Sequence, residues 1–154
     1  MSILLLQACS GNSFHLRKEL DLPKVYQRIQ VDNISYEHNL IKAFELALEE
    51  SGGQLLAKAP TIVKINNLRE GKRTVAYTKE RKAREFLLYL KFGYTISMLG
   101  KETKNQRISL DRIFVYDADF ALGKAEEEDK IRQELYKEAA RLILLKLQYS
   151  SAKQ

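Results

Sequence analysis

The chain has 154 residues, of which 30% are charged, and its mean hydropathy is −0.36. This length suffices for one domain with a buried core, and only two prolines and seven glycines exclude a disordered or linker-rich chain. A single cysteine, Cys9, excludes an intrachain disulfide and a cysteine-based zinc site, and no stretch has the ~20 apolar residues of a membrane-spanning helix.

The positive charge is concentrated in one segment. The chain carries a formal net charge of +6, and residues 69–84 hold seven lysines and arginines against two glutamates, a net +5. Such a segment predicts a polyanionic partner, which could be nucleic acid, an anionic membrane surface or a phosphorylated glycolipid.

The first residues contain a possible lipid-attachment motif. Leu6-Gln-Ala-Cys9 resembles a bacterial lipobox, in which a leucine and a small residue precede the cysteine that is cleaved at and lipidated. The apolar run before it is short and has no basic residue ahead of it, unlike a complete signal peptide. We therefore expect residues 1–9 to be a truncated signal segment with Cys9 as the lipid-attachment site, followed by a tether over residues 10–23. A free cysteine is the alternative.

The next elements are a strand and a helix. Residues 25–31 alternate, with Val25, Ile29 and Val31 on one side, which predicts a strand with one solvated face. Ser35 is placed to cap the helix that follows, and His38 is expected on the surface of its first turn. Glycines 52 and 53 predict its end. Its inward residues are predicted to be Leu40, Ile41, Phe44, Ala47 and Leu48.

Two further strands enclose the basic segment. Residues 61–68 predict a second strand that runs into this segment, where Gly71 is expected to introduce a bulge or kink. Residues 78–82 predict a charged turn. The third strand, residues 86–98, is the clearest in the chain, because seven apolar residues fall on its even positions and require one buried face.

A fourth strand, a loop and a long helix complete the chain. The strand is predicted over residues 108–116, the loop over 117–124, and the helix from near Ala125 to near Leu147. The acidic residues 126–129 are expected in its first turn, where they suit the helix dipole. Lys124 lies at the unfavourable end of that dipole; it is either a solvated lysine neutralised by these acids or a residue that meets an anion. The predicted inward residues are Ile131, Leu135, Ala139, Leu142, Ile143 and Leu147.

The element order βαβββα predicts an α+β fold. We expect a two-layer sandwich with two helices on one face of a four-stranded mixed sheet, in which three strands form an antiparallel meander and one pairing is parallel. A single domain is predicted over residues 24–148, with a tail over 149–154. The other sheet face and the basic turn remain for partners.

The chain lacks a recognisable catalytic set. It has no glycine-rich phosphate loop, no nucleophile elbow and no paired histidines, so we expect no enzyme activity, no cofactor and no metal. The basic hairpin between the second and third strands is either a solubilising edge or a phosphate-recognition site, where lysine acts as a point charge and arginine as a bidentate donor. Tyr77 and Tyr89 are candidates for base stacking in a nucleic-acid-binding alternative, without an RNP-like motif beside them.

Three motifs in order resemble one family. Cys9 is followed by Phe14-His-Leu-Arg17 and a proline; Arg84-Glu-Phe86 is similar to the family's Ala-Glu-Tyr; and Tyr116-Asp117 precedes Ala121-Leu-Gly-Lys124, similar to the family's Ala-Leu-Ala-Lys. Over residues 9–147 the chain resembles the LptE family of outer-membrane lipopolysaccharide-assembly lipoproteins. It departs from the family in the four residues between Cys9 and Phe14, where one is usual, and in Gly123.

The resemblance implies a non-enzymatic lipoprotein on the periplasmic face of the outer membrane. Such a protein plugs the lumen of the LptD β-barrel, assists the assembly of that barrel and binds lipopolysaccharide for delivery to the cell surface. The family's lipopolysaccharide contacts carry over to Lys79 and Lys124, and local charge density adds Arg81, Lys82 and Arg73. The expected partners are LptD, lipopolysaccharide and the outer membrane. The alternative is a soluble nucleic-acid-binding module that uses the basic hairpin.

Overall fold

The computed structural model describes residue 20 and residues 22–98, 100–117 and 121–151. The predicted signal segment, its cysteine and most of the predicted tether lie outside the described residues.

The structure has the predicted α+β class, with two helices and a mixed sheet. It has six strands where four were predicted, because β2 and β5 are two-residue strands too short to produce a periodic pattern. In chain order, a 3-10 helix at Lys24–Tyr26 precedes β1 (Arg28–Asp32), α1 (Asn39–Glu50), β2 (Gln54–Leu55), β3 (Thr61–Tyr77), β4 (Ala83–Met98), β5 (Lys101–Glu102), β6 (Gln106–Val115) and α2 (Ala121–Ser151).

The sheet has the order β2-β1-β3-β4, and both β5 and β6 pair with β4. As predicted, β3, β4 and β6 form an antiparallel meander, and β1 pairs in parallel with β3 after the crossover through α1. β1 pairs only with the first four residues of β3, so the rest of β3 extends beyond it as a long hairpin with β4.

The core lies between one sheet face and the two helices. The even positions of β4 are buried from Leu88 to Ile96, which confirms the strand alternation. α1 buries four of its five predicted inward residues, and Ala47 is partly buried. The largest fully buried side chains include Phe44, Leu48, Val63, Leu88, Leu90, Phe114, Ile143, Leu144 and Leu147.

The first strand starts later than predicted. Residues 24–26 form a 3-10 turn after Pro23, in which the N–H of Tyr26 donates to the Pro23 carbonyl over 2.8 Å. This turn exposes Val25 and buries Tyr26, so the predicted inward position of Val25 is wrong. Proline fixes φ near the value of a helical turn, and a local hydrogen bond then outweighs the alternating pattern.

The cap of α1 also differs from the prediction. The N–H of Leu40 donates to Nδ1 of His38 over 3.1 Å, so His38 and not Ser35 caps the helix. A turn closed by the N–H of His38 and the carbonyl of Ser35 separates the serine from the helix. His38 is only partly exposed, and its ring packs edge-on against Tyr136 with centroids 5.9 Å apart, so its predicted surface position is wrong. An imidazole nitrogen accepts a hydrogen bond as a capping oxygen does.

The irregularity in β3 lies before the predicted position. The pairing with β4 shifts between Asn66 and Arg69, around Asn67 with φ of 52°, whereas Gly71 stays in register opposite Tyr89. Asparagine tolerates this left-handed conformation better than most residues. Gly71 has a different role, because a Cβ there would come within 2.8 Å of the Tyr89 hydroxyl. The glycine lets the tyrosine side chain lie across β3.

The bulge changes which residues of β3 point at the helices. Before it, Val63 and Ile65 are buried in the core. After it, Glu70 and Lys72 reach α2, where they contact Tyr136 and Glu128. An extra residue in a strand inverts its alternation, so the hairpin presents charged side chains to α2.

α2 is longer than predicted and buries a different arc. It begins at Ala121, so Lys124 lies in its first turn and the acidic residues 126–129 lie beyond that turn. Alanine and leucine are strong helix formers, and they extend the helix ahead of the acids. Leu142 is exposed, contrary to the prediction, whereas Tyr136, Ala140 and Leu144 are buried. α2 packs on α1 as well as on the sheet, so its buried arc is rotated from the predicted one.

Candidate functional site

All five predicted lipopolysaccharide-binding residues lie at one end of the molecule, which we call the distal end. It comprises the turn at residues 78–82, residues 69–77 of β3, 83–91 of β4, 109–115 of β6 and 121–134 of α2. The N–H of Tyr116 donates to the carbonyl of Arg84 over 2.8 Å, which fixes the end of β6 beside the start of β4. The basic turn therefore projects from a three-stranded segment backed by the first turns of α2.

The turn holds its basic residues in a tight loop. The N–H of Arg81 donates to the carbonyl of Thr78 over 3.0 Å, and the N–H of Thr78 donates to the carbonyl of Lys82 over 2.8 Å. Arg81 has φ of 61°, in the left-handed region that such hairpin loops usually give to glycine. An arginine in this conformation costs about 1 kcal/mol of backbone strain relative to glycine. Its presence there therefore has to be explained by its side chain.

The cations of the turn lack anionic partners. Within the described residues, no carboxylate forms an ion pair with Lys79, Arg81, Lys82 or Arg73. Glu80 lies between them but is fully exposed, and its pKa is lowered by a hydrogen bond from its own backbone and by the Thr78 hydroxyl. These four side chains are therefore available to an external anion.

The five predicted binding residues do not form one cluster. Lys79, Arg81 and Lys82 share the turn. Arg73 pairs with Leu87 in the sheet, and the two lie on the face that points away from α2. Lys124 lies on the opposite face, where its Nζ is 5.8 Å from the ring centre of Phe114. The turn thus lies between two separate basic residues, Arg73 on one face of the sheet and Lys124 on the other.

Lys124 has an internal partner. Its Nζ donates to Glu127 Oε2 over 2.7 Å, one helical turn further along α2. This contact matches the first of the two interpretations left open by the sequence, a lysine neutralised by a neighbouring acid. The pair is exposed, so it is worth only about 0.3–0.5 kcal/mol and an external anion can compete with it. Lys124 is therefore less available than the residues of the turn.

A second ionic group, which sequence reasoning missed, fixes the hairpin to α2. Glu128 accepts hydrogen bonds from Lys72 over 2.6 Å and from Arg132 over 2.7 Å. Burial alone raises the pKa of Glu128, but the hydrogen bonds and charges of Lys72 and Arg132 outweigh it and hold that pKa below its usual value. The spacing of Glu128 and Arg132 is visible in the sequence as an i,i+4 pair, whereas Lys72 is 56 residues away.

Tyr136 makes the next contact along the same boundary. Its hydroxyl donates to Glu70 Oε2 over 2.9 Å, and His38 Nε2 lies 3.6 Å from the other oxygen of Glu70. Burial, together with the hydrogen bond and the negative charge of Glu70, raises the pKa of Tyr136 to about 12. The phenol therefore remains a neutral donor near neutral pH, and it ties α1, β3 and α2 together.

These groups provide binding chemistry at the distal end. Within the described ranges, no cluster of three or more histidine, cysteine, aspartate or glutamate side chains could hold a metal ion. In the same part of the chain, neither helix is both long enough and apolar enough to span a bilayer. Lysines and arginines without partners on a projecting turn can bind phosphate by point charge and by bidentate hydrogen bonds.

Comparison with solved structures supports the fold. The chain superimposes on lipoprotein B from Nitrosomonas europaea with a TM-score of 0.72, at 21% identity over 92% of this chain and 94% of that one. It superimposes on rare lipoprotein B from Shewanella oneidensis with a TM-score of 0.69, at 16% identity over 82% of this chain and 97% of that one. At these identities the likeness shows a shared fold.

Comparison of sequences identifies the family. The chain is 27% identical over 143 residues to the LPS-assembly lipoprotein LptE of Pectobacterium atrosepticum, which covers 90% of this chain and 77% of that protein. The family model LptE, described as lipopolysaccharide-assembly, matches residues 26–147. This match spans most of the chain and includes every strand of the sheet, all of α1 and all of α2 except its C-terminal end. The chain therefore belongs to the LptE family of lipopolysaccharide-assembly proteins.

Proposed function

We propose that this chain is a non-enzymatic lipoprotein subunit of the outer-membrane lipopolysaccharide translocon. In this role it occupies the lumen of the LptD β-barrel, assists the assembly of that barrel and binds lipopolysaccharide during delivery to the cell surface. It acts at the periplasmic face of the outer membrane, held there by a lipid on Cys9. Family membership and the name of the Pectobacterium relative support this assignment.

The observation that carries the proposal is the set of cations without partners on the projecting turn. Lys79, Arg81 and Lys82 lie within four residues of one another, and none of them forms an ion pair with a carboxylate of the described part of the chain. The lipid part of lipopolysaccharide carries phosphates on a sugar backbone, and lysine and arginine are the side chains that bind phosphate. The strained backbone of Arg81 is consistent with selection for its side chain at that point.

Lys124 and Arg73 are secondary contacts in this proposal. Lys124 binds an incoming phosphate by exchanging its pair with Glu127 for a contact to the ligand, so its contribution is smaller than that of a turn residue. Arg73 lies on the other face of the sheet, opposite Leu87, and we assign it a contact with a second anionic group of the same ligand.

The experiment that tests this binding site reverses two charges. The variant Lys79→Glu with Lys124→Glu is titrated with purified lipopolysaccharide, and its affinity is expected to fall at least about tenfold, or about 1.4 kcal/mol. The matched control is Lys42→Glu with Lys58→Glu, which changes the net charge equally at exposed positions away from the distal end. Unchanged thermal unfolding shows that the fold is intact.

Two results would contradict the site. One is equal affinity of the wild-type protein and the Lys79/Lys124 variant for lipopolysaccharide. The other is an equal loss in the Lys42/Lys58 control, which would mean that only total charge matters. The single variants separate the two positions, and Lys79→Glu is expected to have the larger effect because Lys124 pairs with Glu127, whereas Lys79 forms no ion pair within residues 22–98, 100–117 and 121–151.

The proposed partner is tested by co-purification. Tagged full-length protein is expected to co-purify with the endogenous LptD barrel from outer membranes, and absence of the barrel would contradict this part of the proposal. The nucleic-acid-binding alternative predicts oligonucleotide affinity that falls steeply with added salt. No oligonucleotide affinity at low salt would remove it.

A further inference from the structure

Among the described residues, no element covers one face of the distal sheet; this face has an apolar strip, and we call it the open face. Directly paired residues share a face of an antiparallel sheet, so Arg73, Leu87 and Ile113 form one row across β3, β4 and β6. The next row towards the turn contains Ala76, Glu85 and Val115. The residues between them point to α2.

The side chains of the opposite face confirm this assignment. Phe114 is buried beneath α2, Arg112 pairs with Glu138 of α2, and Lys72 pairs with Glu128. Ile113 and Val115 alternate with these residues along β6 and therefore point away from the helix.

The apolar residues of the open face are exposed. Ile113 is 61% exposed and Val115 is 44% exposed, although both are branched aliphatic residues on the edge strand of the sheet. Leu87 lies between Ile113 and Arg73 and is half-buried. Single exposed apolar residues are ordinary, but three adjacent ones on an edge strand and its neighbour make a strip that favours association.

The charges around the strip are mainly positive. Arg73 lies in the same row, and Arg69 and Lys91 form a row four residues further from the turn. The acids on this face are Glu85 and Asp111. The turn begins about 13 Å from Leu87, at ~3.3 Å per strand residue over the four residues to Ala83, and its cations lie beyond that point. The strip thus has Arg73 and Glu85 in its own rows and Tyr89 and Asp111 in the next row away from the turn, and the other basic groups lie beyond these on both sides.

This combination fits an amphiphile with aliphatic chains and anionic groups. The exposed aliphatic side chains Ile113 and Val115 contribute nothing to a site for inorganic phosphate alone. We infer that the open face binds acyl chains of the phosphorylated glycolipid whose phosphates bind the turn. This inference rests on the proposed function and extends it, because it assigns a second subsite to the same ligand.

Transfer of the acyl chains from water to this strip is favourable in free energy. Ile113, Leu87 and Val115 form a contiguous apolar contact along one direction of the sheet, and each methylene that they cover is removed from water. The phosphates then lie at the basic turn and at Arg73, so one ligand satisfies both the apolar and the basic parts of the open face.

The test uses full-length protein and two ligands that differ only in their chains. The variant is Ile113→Thr with Val115→Thr, because threonine keeps the strand propensity of a β-branched residue and removes apolar surface. The ligands are hexa-acylated lipid A and the fully deacylated, phosphorylated glucosamine disaccharide. Affinity of the variant for lipid A is expected to fall about five- to tenfold, with affinity for the disaccharide unchanged.

Two further variants separate the subsites. Lys79→Glu with Arg81→Glu is expected to weaken the binding of both ligands, because both carry the phosphates. Leu46→Thr, at an exposed apolar position on α1, is expected to leave both affinities unchanged. Unchanged circular dichroism and thermal unfolding show that each variant is folded.

Three outcomes overturn the inference, and they differ in what else they affect. If the Ile113/Val115 variant keeps full affinity for lipid A while the turn variant loses it, the acyl subsite is wrong and the proposed function stands. If that variant keeps lipid A affinity but no longer co-purifies with the β-barrel, the open face belongs to the barrel wall. If the wild-type protein binds neither ligand, the proposed lipopolysaccharide-binding function fails together with the subsite.

Discussion

The two halves of α2 are held to the sheet by different forces. The C-terminal half packs Leu135, Ala139, Ile143 and Leu147 into the core against α1 and the sheet, where burial of apolar surface dominates. The N-terminal half combines apolar contact, with Phe114 buried beneath it, with an ionic group centred on Glu128 that bonds to the hairpin through Lys72. We call the first region the core end. A distal end held in this way is more sensitive to salt and pH than the core end.

The bulge at residues 66–69 marks the boundary between the two ends. On its core side the residues of β3 that face the helices are Val63 and Ile65, and on its distal side they are Glu70 and Lys72. One extra residue in β3 therefore changes the side chains that this strand presents to the helices from apolar to charged. The core end determines the fold, and the distal end carries the proposed binding residues.

The largest expected difference in stability between the two ends comes from a matched pair of phenylalanine-to-alanine substitutions. Phe44→Ala at the core end is expected to lower the free energy of unfolding by about 3–5 kcal/mol, because a buried ring leaves a cavity. Phe86→Ala at the distal end is expected to cost about half as much, because that ring is half-buried between Phe114, Tyr116 and Lys72. Urea denaturation followed by circular dichroism measures both values. Equal costs would show that the two ends are packed alike.

The ionic contact of the distal end predicts a smaller effect that depends on pH. Glu128→Gln is expected to lower the free energy of unfolding by about 1 kcal/mol at pH 7, since Glu128 is 17% exposed and bound by two cations. The folded-state pKa of Glu128 lies below the usual 4.5, so its stabilisation is present above pH 4.5 and is lost as the pH falls through that lowered value.

The difference between wild-type protein and the Glu128→Gln variant should therefore shrink on acidification below pH 4.5, and it should shrink with added salt at pH 7. The control is Glu138→Gln, which removes a more exposed pair with Arg112 and is expected to cost less than about 0.5 kcal/mol. A difference that is constant from pH 7 to pH 3 would exclude the ionic contact as its source.

The smallest expected effect concerns the turn itself. Arg81→Gly is expected to raise the free energy of unfolding by up to about 1 kcal/mol, because glycine removes the backbone strain at φ of 61°. The greater conformational entropy of glycine in the unfolded chain offsets part of this gain. The same change is expected to weaken lipopolysaccharide binding. Asn67→Gly, at φ of 52° in the bulge, is the control for backbone relief without loss of charge. Tighter lipopolysaccharide binding by the Arg81→Gly variant would contradict the role of this side chain.

Several parts of the structure could be predicted because they depend on local pattern. The alternation over residues 86–98 requires one covered face, and the two amphipathic helices are the available cover. Errors occurred where one local contact competed with a pattern. His38 replaced Ser35 as a cap because its ring nitrogen accepts from Leu40, and Val25 lost its inward position to a 3-10 turn after proline.

In the candidate site, too, local pattern predicted some features and tertiary contacts decided others. Charge density placed Lys79, Arg81 and Lys82 together in one turn, and the structure has them there. Their roles as lipopolysaccharide contacts remain predictions. The sequence also indicated Lys124 as a candidate. It could not show how available the Lys124 ammonium is to an external anion, because that depends on the start of α2 at Ala121 and on the pair with Glu127.

The sequence by itself determined the layers of the fold, the buried face of β4, the family and the concentration of positive charge between β3 and β4. Only the tertiary structure decided which of these charges are free. Lys72 is neutralised by Glu128 across 56 residues, whereas Arg73 beside it points to the open face. Composition and periodicity are local properties of the chain, and the pairing of a charge depends on the residue that folding brings to within a few ångströms of it.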